Sequence, residues 1–272
     1  MTCLQLQNIT KTFHGDGGVA VRALDGINLR IEQGAFVVML GSNGSGKSTL
    51  LQIIAGADAP DNGTVYLDGQ DITQLGEHQR AASIGRVFQN PLQGTVGTMS
   101  VEENLALAAC RGRRFNLAPA MQRGLQDEIR QRLEALGIGL ENRMKQPIAT
   151  LSGGQRQIVT LLMAAWHQPR LLLLDEHTAA LDPQSAELVL RMTGNIVEQS
   201  GITVVMVTHS MEQAVSFGDR LMIVHHGKIV LDLSGVEKHR AQPDELRRHF
   251  EELRRTDLLD ESVALLLRDQ YV

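Results

Sequence analysis

The sequence predicts an α/β fold with a mixed, mainly parallel sheet, and three observations predict it. Four continuous apolar runs, at 35–40, 83–88, 171–174 and 203–207, have the unbroken character of central strands covered on both faces. Between them lie stretches whose apolar residues recur at three- and four-residue spacing, the period of helices. The first run, Ala35–Leu40, leads directly into Gly41-Ser-Asn-Gly-Ser-Gly-Lys-Ser-Thr49, a glycine-rich turn that opens an apolar-periodic helix over 48–55.

The remaining elements follow in order. Shorter runs near Leu4–Asn8, Val19–Leu24, Ile27–Ile31 and Thr64–Leu67 read as an antiparallel N-terminal β subdomain. Leu221–His225 and Lys228–Leu231 read as antiparallel edge strands at the other end. From Pro91 to Thr150 the character turns helical. Val101–Ala109 is one helix, and Met121, Leu125, Ile129, Leu133 and Leu136 make one apolar stripe on a second. This stretch, about 91–150, is expected to be an α-helical subdomain inserted into the body. Asp182-Pro183 starts a further helix, with Asp as cap and Pro at the first helical position. From Gln242 the chain is charged, with Leu246, Phe250 and Leu253 on one face and a leucine-rich stretch at 258–267. It reads as a terminal helical pair packed on its own domain, the rival being a surface for a partner helix. The expected division is 1–235 and a C-terminal helical extension, 236–272.

Composition narrows the function classes. At 272 residues, 43% hydrophobic and 21% charged, the chain has the make-up of a globular protein with ample core. A net charge of −5 offers no global basic field, so no nucleic acid partner is expected. Cys3 and Cys110 cannot build a disulfide framework, which favours a reducing cytosol. No apolar run approaches a membrane span, and the N-terminus lacks the pattern of a signal peptide. The chain is therefore expected not to cross a membrane by itself, although it could dock on one.

The chemistry-bearing residues come in three groups. In Gly41–Thr49, successive backbone N–H groups of Gly41, Ser42, Asn43, Gly44, Ser45 and Gly46 can turn around phosphate oxygens, with the helix N-terminus adding partial positive charge. Lys47 would reach the β- and γ-phosphates, and Ser48 would complete the shell of a Mg²⁺ ion. Leu171-Leu-Leu-Leu-Asp175-Glu176 ends an apolar strand in two carboxylates, Asp175 suited to hold Mg²⁺ and Glu176 to act as general base on a water. Leu151-Ser152-Gly153-Gly154-Gln155 opens an apolar helix and is a second anion-binding helix start.

With these motifs in order, the chain over about residues 4–232 resembles an ATP-binding-cassette (ABC) transporter ATPase subunit with a P-loop NTPase core. Gly41–Thr49 matches that family's Walker A loop, Leu151–Gln155 its signature and Leu171–Glu176 its Walker B strand. Gln89 in Val87-Phe-Gln-Asn-Pro91 matches the Q-loop glutamine, Ala179-Ala-Leu-Asp182 the D-loop, and His209 in Val207-Thr-His209 the switch histidine. Phe13, in Lys11-Thr-Phe13, matches the aromatic that stacks on adenine. The resemblance implies that ATP on the Walker A loop of one subunit is capped by Ser152 and Gly154 of a second copy. It further implies that Gln89 senses Mg²⁺ and the γ-phosphate, and that His209 contacts the γ-phosphate and the attacking water. Where many family members have Pro-Thr after the Walker B glutamate, this chain has His177-Thr178, read as a tolerated substitution.

The implied function is ATP hydrolysis coupled to import of a small solute through separate permease subunits, with a solute-binding protein in the same system. The implied location is cytoplasmic, peripheral on the inner face of the membrane. The residues around His177 and the tail resemble a subgroup associated with tryptophan or tyrosine uptake. The alternative is an ABC-type ATPase acting on nucleic acid or ribosomes; relatives of that kind carry a long coiled-coil insertion or two cassettes, and this chain shows neither. A switch that binds ATP without hydrolysis is disfavoured by Glu176 and His209. Three other features rate as ordinary structure. His225-His226 before Gly227 reads as a strand-end turn with no third metal ligand evident, Arg111–Arg114 as a solvated loop, and Trp166 as packing behind the signature helix.

Overall fold

The computed structural model describes residues 1–15, 20–112 and 123–270, and the side chains of all of these except residue 123 and residues 258–270. Residues 16–19, Arg113–Arg114 and Met121 therefore lie outside the described residues, as do the side chains of the leucine-rich stretch at 258–267.

Two sheets carry the fold. A four-stranded antiparallel sheet is built from β1 (Thr2–His14), β2 (Ala20–Glu32), β4 (Asn62–Leu67) and β5 (Gln70–Asp71), in the order β2-β1-β4-β5. A six-stranded sheet contains β3 (Phe36–Leu40), β6 (Ile84–Val87), β7 (Leu171–Asp175), β8 (Thr203–Thr208), β9 (Arg220–His225) and β10 (Lys228–Ser234). Its order is β10-β9-β3-β8-β7-β6, parallel throughout except for β10. Helices α1 (Lys47–Ala55), α2 (Glu77–Arg80), α3 (Val101–Ala109), α4 (Arg123–Glu134) and α5 (Gly153–Ala165) precede α6 (Pro183–Ser200), α7 (Met211–Ser216), α8 (Gly235–Arg240) and α9 (Pro243–Gln270).

Strict alternation in the central strands explains their unbroken apolar sequences. Val37, Met39, Leu171, Leu173, Val205 and Val207 face one core, shared with α1 and the antiparallel sheet. Val38, Leu40, Leu172, Leu174, Val204 and Met206 face a second core under α5, α6 and α9. With both faces covered, each of these side chains is removed from water, worth about 2 kcal/mol apiece in transfer free energy. Arg80 is buried with them and donates five hydrogen bonds, to the carbonyls of Ile53, Ile54, Ile72, Thr73 and Leu75 at 2.6–3.1 Å. Two of those carbonyls close the last turn of α1, so a cation caps the negative end of the helix.

Four sequence expectations change. The expected terminal helical pair is one continuous helix, α9. The described part of the 19–24 run, from Ala20, and the run at 27–31 form a single strand, β2, that pairs along β1 with bulges. The 83–88 run lies at the sheet edge, as β6, rather than centrally. It reads as apolar because Ile84 and Val87 enter opposite cores; an apolar run reports covered faces, not rank in the sheet. Conversely β9 is interior and parallel to β3, and β10 alone is the antiparallel edge at that end.

A third core gathers Val101, Leu105, Ile129, Leu133, Leu140, Met144, Ile148 and Trp166. α5 joins it to the body, sending Val159 and Leu162 there, Leu161 and Ala164 to the sheet, and Ile158 toward α6. Trp166 packs where expected, under the Arg132 guanidinium at 4.1 Å from its ring. Leu246, Phe250 and Leu253 set the first half of α9 against the second core, so this face of the tail covers its own body.

His177, directly after β7, is buried (2% exposed) against α6. The Thr193 hydroxyl donates to the Val189 carbonyl at 2.9 Å, so it accepts from His177 Nε2–H at 3.2 Å. Burial pushes the imidazole pKa down from 6.5 to about 4. The unfolded chain takes up this proton below the ordinary value and the folded chain only near the lowered one. Stability is therefore lost as pH falls through that window, by about 3 kcal/mol at its lower end. His177→Gln, which keeps an N–H donor for Thr193, should flatten this fall in urea unfolding followed from pH 7 to pH 4. An unchanged pH slope would show that another group carries the effect.

Candidate functional site

Register brings the site together. Leu40 of β3 is level with Thr208 of β8 and Ile223 of β9, and Asp175 of β7 is level with Val207. The chain leaving β3, β7 and β8 therefore opens on one edge of the sheet, at the carboxyl ends of parallel strands where ligands bind in such folds. Gly41–Gly46, Glu176–Asp182 and His209–Ser210 share that edge.

The 41–49 loop is shaped by close approach. A Cβ on Gly41 would sit 2.4 Å from the Val224 carbonyl, and one on Gly46 would sit 2.4 Å from the Ala23 carbonyl, so neither position admits a side chain. Gly46 also has φ 104 and begins α1 with no side-chain cap, which leaves the first-turn N–H groups for a bound anion. From behind, the Gly227 N–H donates to the Ser45 carbonyl at 2.9 Å. Lys47 is buried, and its ammonium donates to the carbonyls of Gly41 and Ser42, both at 2.8 Å. Burial lowers its pKa, while the charges of Glu176 and Asp175 pull the other way. Asn43, Gly44 and Ser48 are exposed, and Ser42 and Thr49 are half-buried. A glycine loop at an uncapped helix start with one desolvated cation suits a polyphosphate.

The carboxylates lie opposite. Burial raises the pKa of Asp175; Arg86, 3.7 Å away on the edge strand, opposes the rise, and Glu176 adds to it. Glu176 occupies the left-handed region at φ 43, where a bulky residue costs about 1–3 kcal/mol. Backbone bonds hold it there: its N–H donates to Val207 and its carbonyl accepts from Ala179. The turn aims the carboxylate at His209, whose Nδ1 lies 3.4 Å from Oε2. Asp175 and the Ser48 hydroxyl are hard oxygen donors of the type Mg²⁺ selects, and a desolvated carboxylate beside a second one is a site that a divalent cation relieves.

Other expected residues sit further out. Gln89 is exposed in the bend after β6, whose Phe88 carbonyl accepts from the buried Gln157 of α5 at 3.2 Å. Ser152 caps α5 reciprocally with Gln155: its hydroxyl accepts the Gln155 N–H at 3.2 Å and its N–H donates to Gln155 Oε1 at 3.3 Å. Arg143 donates to the same Oε1 at 2.9 Å, fixing Gln155 for the cap. Gly153 approaches Leu181 and Gly154 approaches Ser185, where a Cβ would meet the Ser185 Cβ at 2.8 Å. Asp182 caps α6 through the Ser185 N–H at 3.0 Å, and hydrogen bonds from Ser185 hold its pKa low. Among the described residues no hydrogen bond or ion pair joins Ser152–Gln155 to the 41–49 loop. Phe13 is exposed on β1, opposite Val21 of β2, close to where Ala23 touches Gly46. Its ring carries the Lys11 ammonium 5.3 Å from the centroid.

Two positioning features were not anticipated. Arg86, a lone charge in an apolar run, was a visible anomaly that points at Asp175. The chain Thr208 Oγ1 to Gln213 Oε1 (2.7 Å) and Gln213 Nε2 to Thr178 Oγ1 (3.2 Å) ties the His209 turn to the segment after Glu176. No spacing rule marks those three residues.

The chain is similar to known proteins along most of its length. A family model described as ABC transporter matches residues 24–179. A tyrosine transport ATP-binding protein of Clostridioides difficile (strain R20291) is 40% identical over 248 residues, covering 91% of this chain and 98% of that protein. A methionine import ATP-binding protein, MetN, of Mannheimia succiniciproducens is 32% identical over 252 residues, covering 91% and 69%. Among solved structures, a dimeric ATP-binding cassette in a post-hydrolysis state with ADP and Pi superposes with a TM-score of 0.71 at 33% identity, over 85% of this chain and 98% of that one. A family model matched over more than half of the chain, and a relative 40% identical and matched over nearly its whole length, show the family: this chain belongs to the ABC transporter family, as an ATP-binding cassette with ATPase activity.

Proposed function

We propose that this cassette works as a head-to-tail pair of identical subunits on the inner face of a membrane. There it drives import of a small solute, an aromatic amino acid such as tyrosine or tryptophan, through separate permease subunits fed by a solute-binding protein. The observation that carries the reading is the near full-length match to the tyrosine transport protein. Among the described residues no helix is long and apolar enough to cross a membrane, which suits a permease on another chain. The cassette body would be 1–235 with the helical subdomain about 91–150 inserted, and 236–272 a C-terminal extension.

Each residue has a part in that reading. The N–H groups of Gly41–Gly46 bind the β- and γ-phosphates, with Lys47 exchanging its loop carbonyls for phosphate oxygens. Ser48, Asp175 and Gln89 would hold Mg²⁺, which supplies charge neutralisation of the phosphates. Glu176 accepts the proton of the attacking water, and His209, 3.4 Å away, contacts that water and the γ-phosphate. Phe13 stacks on adenine. Ser152, Gly153, Gly154 and Gln155 cap the nucleotide of the partner subunit, and Asp182 lines the same seam. Two features support a second copy as the partner: Ser152 and Gly153 are exposed at a helix start, and among the described residues no hydrogen bond or ion pair links them to their own chain's phosphate loop.

Three outcomes test it. Glu176→Gln should bind ATP yet hydrolyse it at least ~100-fold more slowly, and should elute with ATP as a dimer in size-exclusion chromatography. Undiminished turnover would show that the base is misassigned. Lys47→Ala and Ser152→Asn, the latter retaining a capping side chain, should each be inactive alone. Mixed, they should regain turnover, because one of the two composite sites in the mixed dimer is then intact. Failure to complement, with the mixed dimer demonstrated, would refute sites shared between subunits. Gentle membrane extraction should co-purify a polytopic membrane protein, and loss of the gene should abolish uptake of radiolabelled tyrosine or tryptophan. A soluble ribosome or DNA complex instead would overturn the transport reading and leave the ATPase intact.

A further inference from the structure

The β9–β10 turn and the C-terminal helix hold a cluster that ATP chemistry does not use. His225 ends β9, His226 opens the turn, and Asp257 projects from α9, far along the sequence. His225 Nε2 lies 3.1 Å from Asp257 Oδ2, and His226 Nε2 lies 3.1 Å from Asp257 Oδ1. The ligand atoms of all three residues lie within 4.8 Å of one another. We propose that His225, His226 and Asp257 form a binding site for a divalent transition-metal ion of the zinc class. An occupied site clamps the C-terminal helix to the turn behind the phosphate loop.

The geometry suits such an ion. With bonds of about 2.0–2.1 Å, the ligands of a tetrahedral zinc stand about 3.3 Å apart, and the His–Asp separations lie within a few tenths of an ångström of that. Two imidazoles and one carboxylate are a borderline-soft donor set, which favours zinc, cobalt or nickel over the hard Mg²⁺ of the nucleotide site. His226 sits at φ 44 and Gly227 at φ 72, a left-handed pair that makes the tight turn and that histidine adopts more readily than most side chains. Its ring lies 4.2 Å from that of His225, and both Nε2 atoms approach the same carboxylate. His225 is largely buried while His226 is 72% exposed, so solvent can supply the fourth ligand. Among the described residues no acceptor faces His225 Nδ1, so the site lacks the outer-shell bond that strengthens most histidine ligands, and moderate affinity is expected.

The position gives the site a consequence. Gly227, the next residue of the turn, donates its N–H to the Ser45 carbonyl and accepts from the Asp25 N–H, both at 2.9 Å. A metal here would join α9 to the backbone that supports the phosphate loop.

The test uses the full chain with a histidine-free affinity tag, nucleotide-free and stripped with chelator. Zn²⁺ is titrated calorimetrically and Co²⁺ by visible absorption. One saturable equivalent is expected, with a tetrahedral cobalt spectrum and slower amide exchange in α9 on Zn²⁺ addition. His226→Ala and Asp257→Ala should each weaken binding at least ~10-fold and remove the effect of Zn²⁺ on α9 exchange, while the metal-free variants keep the parent's far-UV circular dichroism. Absence of a saturable equivalent, or one that survives both substitutions, would overturn the proposal.

Discussion

In-register parallel pairing of β7, β8 and β3 is the constraint on which the rest depends. Because Asp175 is level with Val207 and Leu40 with Thr208, three loops from distant parts of the sequence leave the sheet on one edge. A slip of one residue would exchange the two faces of every strand, driving Val37 and Met39 out of one core and Val38 and Leu40 out of the other. The energy that fixes the site is thus mostly apolar burial far from any phosphate. Polar groups refine it. Arg86 stands beside Asp175, a strained Glu176 turns its carboxylate toward His209, and Gln213 ties the two turns together.

The phosphate loop is supported from behind as well as from its own strand. Ala23 of the antiparallel sheet and Val224 of the β9–β10 hairpin press against Gly46 and Gly41, and Gly227 hydrogen-bonds Ser45. Both sheets thus bear on the loop, and the C-terminal helix reaches the same hairpin through Asp257. This gives a physical route by which the tail can bear on nucleotide binding without touching the nucleotide.

The helical layer has a comparable junction. α5 is buried on most of its circumference, so the helix that begins with the exposed Ser152 also packs against the sheet, α6 and the third core. Gly153 and Gly154 serve close packing against Leu181 and Ser185, and Asp182 caps the helix that carries Ser185. Any displacement of α5 is therefore felt both at its exposed N-terminus and at the segment following Glu176, and through Gln157 at the bend holding Gln89.

By itself the sequence determined the local features: the α/β class, the glycine loop between strand and helix, the helix start at Ser152, the cap at Asp182, and the apolar face of α9. These rest on interactions between residues close along the chain, or on periodicities that burial imposes, and so they leave a readable pattern. Only the tertiary structure decided what distant segments do to one another. It set β6 at the sheet edge and β9 inside, because an apolar run records covered faces and carries no strand order. It set Arg86 beside Asp175, Gln213 between Thr178 and Thr208, and Asp257 against His225 and His226. Such pairings depend on register and on how layers stack, and no spacing within a single segment encodes them.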